Sequence, residues 1–223
     1  MLRTQEEFLA EVRSRVEQGA VSTSHAATSA YLDASSILVW DDVLPNYPAY
    51  VKAARQRTYE TIAIGPIVFS GISVCLDSLV PDLIQQRYPT LAPTISLFRR
   101  SPLGQPEPSY IHTDRDMGEW TAILYLTEDP PEGDGTVFWR NRETGHTASV
   151  ARDPQEFYAE WAMWQDRDRW EPWHLVQAHP NRVVVFQGPL FHARAIEANY
   201  GEGLQARLIQ TVFGTGDWPC VSP

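Results

Sequence analysis

Two textures of hydrophobic patterning divide the chain near residue 94. Before it, apolar positions recur at helical spacing. Phe8, Val12 and Val16 follow the capping box formed by Thr4 and Glu7, which predicts a helix over residues 5–18 ending at Gly19. "VSTSHAATSA" then reads as a linker of small polar residues with His25 solvated in it, and "SSILVW" as a first β strand. Tyr47, Val51 and Ala54 form one stripe of "NYPAYVKAARQRTY", and "SLVPDLIQQRY" gives a second short helix that stops before Pro89. These two helices are expected to cover one face of a sheet. From Thr94 onward the pattern changes to short apolar runs broken by Gly, Pro, Asp and Glu: "TISLFRR", "TAILYLTED", "GTVFWRN", "RVVVFQG", "ARAIEA" and "ARLIQTVFG". That succession predicts a mainly β fold, a barrel or sandwich with flanking helices.

One segment interrupts the β pattern. Asp153, Pro154 and Glu156 supply an N-cap, a first-turn proline and a reciprocal capping carboxylate for a helix through about Arg167, inserted between strands. Trp161, Trp164, Trp170 and Trp173 crowd this insertion, and packing against the barrel is weighed there against a substrate lid or partner surface. The chain thus divides into an N-terminal helix and linker (1–30), supporting helices and strands (31–93) and a β core (94–214) with an insertion over about 148–178.

At 223 residues and 43% hydrophobic composition, one domain with a full core is expected. The net charge of -10 disfavours contact with a phosphate backbone, so nucleic acid is not an expected partner. Cys75 and Cys220 lie in no paired spacing, so neither a disulfide framework nor a thiolate metal site is expected. "MLRTQEEFLAEV" does not have the form of a secretory leader and no stretch approaches a membrane span, so a soluble, cytoplasmic protein is expected.

The chemistry concentrates in "SYIHTDRDMGEW". On a strand, residues two apart project to one side, so His112 and Asp114 can share a metal while Thr113 faces away. A histidine beyond the buried run and Gly-Pro turn of "RVVVFQGPLFH", His192, would supply a third ligand. Two histidines and one carboxylate on one face of an octahedron leave positions open for substrates, the set used by non-haem Fe(II) oxygenases. A keto-acid cosubstrate such as 2-oxoglutarate then needs a cation for its distal carboxylate. Arg207, on "ARLIQTVF", is the candidate, with Tyr125 of "TAILYL" adding a phenolic hydrogen bond.

The runs "YIHTD", "TAILYL", "EGDGTVFW", "RVVVFQGPLFH" and "RLIQTVF" resemble the Fe(II)/2-oxoglutarate-dependent dioxygenase superfamily, particularly its prolyl-4-hydroxylase-like branch, over roughly residues 94–214. The resemblance implies a double-stranded β-helix, also called a jelly roll or cupin-like core. It implies Fe(II) and 2-oxoglutarate as cofactors, O₂ as co-reactant, and a small-molecule or peptide substrate hydroxylated with release of succinate and CO₂. His112, Asp114 and His192 match the iron ligands, Arg207 the distal-carboxylate partner and Tyr125 its assisting tyrosine. Because "IEANYGEG" lengthens the spacing between His192 and Arg207, Arg194 stays an alternative for the carboxylate. The presence of Asp114 disfavours halogenation, in which chloride takes that ligand's place. A cupin-like binding or sensing module without turnover, and a metal-dependent isomerase or hydrolase, are the competing readings.

Other residues carry weaker signals. His146, His174 and His179 are expected to be packed or solvated imidazoles. Arg99, Arg100 and Arg115 lie near the proposed mouth, each read as a solvated charge at a strand end or as a binder of a substrate carboxylate or phosphate, and Trp139 with Arg140 could line the opening, with core packing the other reading for the tryptophan. Asp116 shares the alternating face but is expected to belong to the adjoining turn.

Overall fold

The computed structural model describes residues 29–64, 67–106, 110–151, 156, 164 and 166–219. The predicted N-terminal helix and its linker, apart from Ser29 and Ala30, lie outside the described residues; of the 153–167 helix, Glu156 and Trp164 are described and helical, whereas Asp166 is not helical and Arg167 opens a 3-10 turn, Arg167–Arg169.

Strand β1 (Ile37–Trp40) is followed by α1 (Tyr47–Arg55), the hairpin β2 (Glu60–Ile64) and β3 (Ile67–Val74), and α2 (Leu79–Arg87). The remaining strands are β4 (Ala92–Ser101), β5 (Trp120–Tyr125), β6 (Gly135–Asn141), β7 (Trp170–Gln177), β8 (Val183–Gln187), β9 (His192–Arg194) and β10 (Arg207–Thr215). They form a seven-stranded sheet in the order β1-β8-β5-β10-β4-β3-β2 and a three-stranded sheet in the order β7-β6-β9, with antiparallel pairing throughout. Two packed antiparallel sheets with non-sequential neighbours make the jelly-roll architecture.

The large sheet is covered on both faces, which is why its central strands read as continuous apolar runs instead of alternating. One face holds Ala122, Leu124, Val185, Leu208 and Val212 against Val51 and Ala54 of α1 and Val80 and Ile84 of α2. The other turns Ile123, Tyr125, Val184, Phe186 and Ile209 toward Phe138 and Val176 of the small sheet. All six residues of β5 are buried in consequence.

Three features differ from the sequence expectations. The hairpin β2–β3 falls where only unspecified supporting structure was expected. Residues 170–177, expected within the tryptophan-rich insertion, form β7 and pair with β6. "ARAIEA" is a strand only as far as Arg194, because the chain then bends through residues 195–198.

Candidate metal centre

His112 and Asp114 do not lie on a regular strand. His112 makes an isolated antiparallel bridge with His192, the first residue of β9, through backbone bonds of 3.0 and 2.9 Å. The chain then turns: the Asp114 carbonyl accepts from Met117 N at 2.8 Å, and Asp114 N donates to Gly188 O at 2.9 Å, docking the turn on the end of β8. The bridge sets the two imidazoles side by side, ring centroids 4.4 Å apart, and the turn brings the carboxylate between them. Asp114 Oδ2 lies 3.3 Å from His192 Nε2 and Oδ1 lies 3.8 Å from His112 Nε2. One ligand atom from each of His112, Asp114 and His192 falls within 4.8 Å of the others.

The other ring nitrogens decide what this convergence can do. His112 Nδ1 lies 3.1 Å from Tyr110 O, and His192 Nδ1 lies 3.0 Å from Leu190 O. A carbonyl oxygen only accepts, so each Nδ1 carries the proton, and in the neutral rings each Nε2 presents a lone pair. With neutral rings the two Nε2 atoms and the carboxylate are all acceptors, an arrangement that suits a cation. Burial pushes the His112 pKa down to about 4, with His192 and Arg99 adding to the effect and Asp114 opposing it, so a proton is disfavoured on that ring near neutral pH. Burial raises the Asp114 carboxyl, but positive charge and hydrogen bonding from His192, with His112 and the Thr121 hydroxyl adding to it, more than offset this and hold it at about 2. An ionised carboxylate with a neutral imidazole is the protonation state a divalent metal requires. Phe186, 4.6 Å from the His192 ring in edge contact, and Phe138, at 6.4 Å, give the site an apolar wall.

The remaining predicted residues are placed as follows. Arg99, on the β4 face shared with Ile209, is near enough for its charge to bear on His112. Arg115 is fully buried, and its Nη1 donates to Ser149 Oγ at 3.1 Å; it anchors the ligand turn instead of reaching a mouth. Trp139 packs with Tyr110 against the cluster of Ile111, Trp164, Trp170 and Phe191, behind the residues that flank the two histidines. A bulge between Phe138 and Trp139 directs it there. Trp164 and Trp170 are buried in that cluster, which favours packing for these two tryptophans. Arg194 donates from its Nη atoms to Asn199 Oδ1 and Glu197 O, bracing the bend that follows β9. Arg100 stacks over Tyr59 at 4.2 Å. Asp116 lies in the turn, as its position suggests.

Tyr125 and Arg207 both face the interior between the sheets, each with a partner from the chain itself. Tyr125 Oη lies 2.7 Å from Thr136 Oγ1, and burial pushes its phenol up. Arg207 Nε donates to both oxygens of Asp134 at 3.1 Å. Asp134 and Tyr200 escaped the sequence reading. The only signal was an aspartate between glycines in "EGDGT", a pattern that also describes any turn.

A family model described as "Family of unknown function (DUF6445)" matches residues 92–207. No curated protein matches the chain. Among solved structures, the non-haem alpha-ketoglutarate dependent epimerase SnoN from nogalamycin biosynthesis superimposes at a TM-score of 0.51 with 10% identity, covering 92% of this chain and 79% of that one. AviO1 from Streptomyces viridochromogenes Tue57 gives a TM-score of 0.51 with 16% identity, covering 84% of this chain and 92% of its own. A Pseudomonas putida prolyl-4-hydroxylase aligns over 93% of this chain and 98% of its own at 0.46 and 16% identity. At these identities the likeness is one of fold.

Proposed function

The chain belongs to the DUF6445 family, a family of unknown function, and we propose that it is an Fe(II)- and 2-oxoglutarate-dependent oxygenase that hydroxylates an unactivated C–H bond of a small molecule, amino acid or peptide. The observation that carries this reading is the convergence of His112 Nε2, Asp114 and His192 Nε2, each imidazole fixed by a carbonyl behind it. Two neutral nitrogens and one carboxylate fit Fe(II) better than the all-oxygen sets that suit Mg(II) or Ca(II). Bound there with a keto acid, iron would activate O₂, the decarboxylation to succinate and CO₂ providing the electrons.

The chain's own residues would do the rest. His112, Asp114 and His192 would hold the metal from one side and leave its other side to ligands. Tyr110 O and Leu190 O keep the imidazole rings from rotating. Phe138 and Phe186 exclude water from the His192 side. Arg207 and Tyr125 would meet the cosubstrate's far end, and Arg99 would face an anionic group near His112. Because Asp114 is retained, hydroxylation fits better than halogenation. One observation favours the alternative, a cupin-like metal-binding module without turnover: Arg207 already has a carboxylate partner in Asp134, so its burial does not by itself require a cosubstrate.

The test is anaerobic addition of Fe(II) and 2-oxoglutarate to metal-free protein. A weak visible charge-transfer band from a keto acid chelated to ferrous iron is expected, and it should vanish in His192→Ala. Iron binding without the band would select the binding module, and no iron binding would strike out the metal centre.

A further inference from the structure

Arg207 and Asp134 form a closed unit inside the molecule. Asp134 is 1% exposed and Arg207 is 6% exposed. The carboxylate accepts from Arg207 Nε, from Tyr200 Oη at 2.8 Å on Oδ2 and from the Gly135 N–H at 2.7 Å on Oδ1. Burial alone would lower the Arg207 pKa, yet Asp134, Tyr200 and Tyr125 around it raise it above its ordinary value. The guanidinium's charge is therefore already balanced by a residue of the chain. Asp134 is fixed next to β6 by further backbone bonds: its N donates to Pro131 O at 3.1 Å and its carbonyl accepts from Ala178 N at 2.7 Å. It is not a side chain that swings freely out of the way.

A second carboxylate brought to this guanidinium by a ligand would leave one negative charge unmatched in the interior, which is costly in a low-dielectric site. An uncharged end group brings no such charge. We propose that Asp134 is a specificity-determining residue: as the internal counter-ion of Arg207 it sets the charge that the far end of the site accepts, weakening the hold on a dicarboxylic 2-oxo acid relative to one with an uncharged tail. This rests on the oxygenase reading, since it concerns the cosubstrate of the same site. It also separates two roles that a buried arginine can play, holding a ligand and holding the fold.

Asp134→Asn tests the point while keeping the shape of the side chain, because an amide oxygen in the Oδ1 place can still accept from Gly135 N and Arg207 Nε while the amide NH2 donates to Tyr200 Oη. Removing Arg207 instead would strand a buried carboxylate and confuse binding with folding. The experiment is isothermal titration of Mn(II)-loaded protein, in which no turnover intervenes, with 2-oxoglutarate and with 2-oxopentanoate, which has the same chain length and no far carboxylate. The wild type is expected to bind the two within about tenfold of each other, and Asp134→Asn to bind 2-oxoglutarate at least about tenfold tighter with 2-oxopentanoate unchanged. A wild-type preference for 2-oxoglutarate above about tenfold overturns the inference without any variant. So does a variant whose ratio of affinities is unchanged or shifts toward 2-oxopentanoate. If neither keto acid binds the metal-loaded protein, it is the oxygenase reading that fails. If both bind and only the ratio refuses to move, that reading stands and Asp134 is a structural partner alone.

Discussion

Asp116 shows how closely charges are crowded around the centre. Its Oδ1 is buried with no hydrogen-bond partner, and burial pushes its carboxyl up to about 7, with Arg115 pulling it down and Asp114 pushing it further up. The folded chain therefore keeps a proton that the unfolded chain releases once pH exceeds the ordinary aspartate value of 3.8. Stability drawn from this residue falls as pH rises from there toward 7 and is constant above it. Asp116→Asn should accordingly raise the Tm of the metal-free protein by a few degrees at pH 8 and by almost nothing at pH 4. Thermal melts across that range check it, and a gain independent of pH would assign the effect to packing instead of charge. The three proposed metal ligands were legible in the sequence because their chemistry is local: the two-residue spacing of His112 and Asp114, and a histidine just past a Gly-Pro turn. Asp134 was not legible, since its partner Arg207 arrives from another strand and nothing in "EGDGT" distinguishes a buried counter-ion from a solvated turn.

At the scale of elements, the pairing of two turns matters more than any strand. The sequence predicts that His112 and Asp114 share a strand face, whereas the structure uses a single bridge and a turn to bring them together. The turn is locked to the end of β8 by reciprocal contacts: Gly188 O accepts from Asp114 N, and Gly188 N donates to Glu119 O at 2.8 Å. A Cβ on Gly188 would meet Gly118 O at 2.4 Å, closer than real side chains come, and both neighbours are backbone that cannot rotate away. Gly188→Ala should therefore push the Asp114 turn off β8, lowering Mn(II) affinity about tenfold or more while the sheets remain. Quenching of tryptophan fluorescence by titrated metal reads this directly, and an unchanged midpoint would show that the turn is positioned by something other than this contact. The apolar runs of β5, β8 and β10 were readable because a sheet buried on both faces writes itself as continuous hydrophobic sequence. β7 was hidden by its composition: "WEPWHLVQ" carries a proline and two tryptophans, and as an edge strand of the small sheet it tolerates both. The β2–β3 hairpin lies at the edge of the large sheet, where Val68 is exposed and burial imposes less pattern.

For the whole molecule, the centre is a junction between layers. His192 belongs to the small sheet, His112 is bridged to it, and Asp114 is tied to the end of β8 in the large sheet. The apolar interior holds the two sheets together, with Phe186 against the His192 ring at this junction, and the three metal-ligating groups meet beside that contact. A cation bound there would join the two sheets, and because the unfolded chain cannot assemble the three ligands, its binding energy becomes folding energy. At a free Mn(II) concentration about 100 times its Kd, the stabilisation is about 2.7 kcal/mol, which for a chain of this size is a rise in Tm of roughly 5–10 °C. Asp114→Ala should abolish that rise, and because its neighbours hold the Asp114 carboxyl below its ordinary value in the folded chain, the variant should also lose a little of the metal-free Tm near neutral pH. Paired melts of wild type and variant, with and without Mn(II), decide the matter. If the variant keeps the full shift, the metal is stabilising the fold from elsewhere.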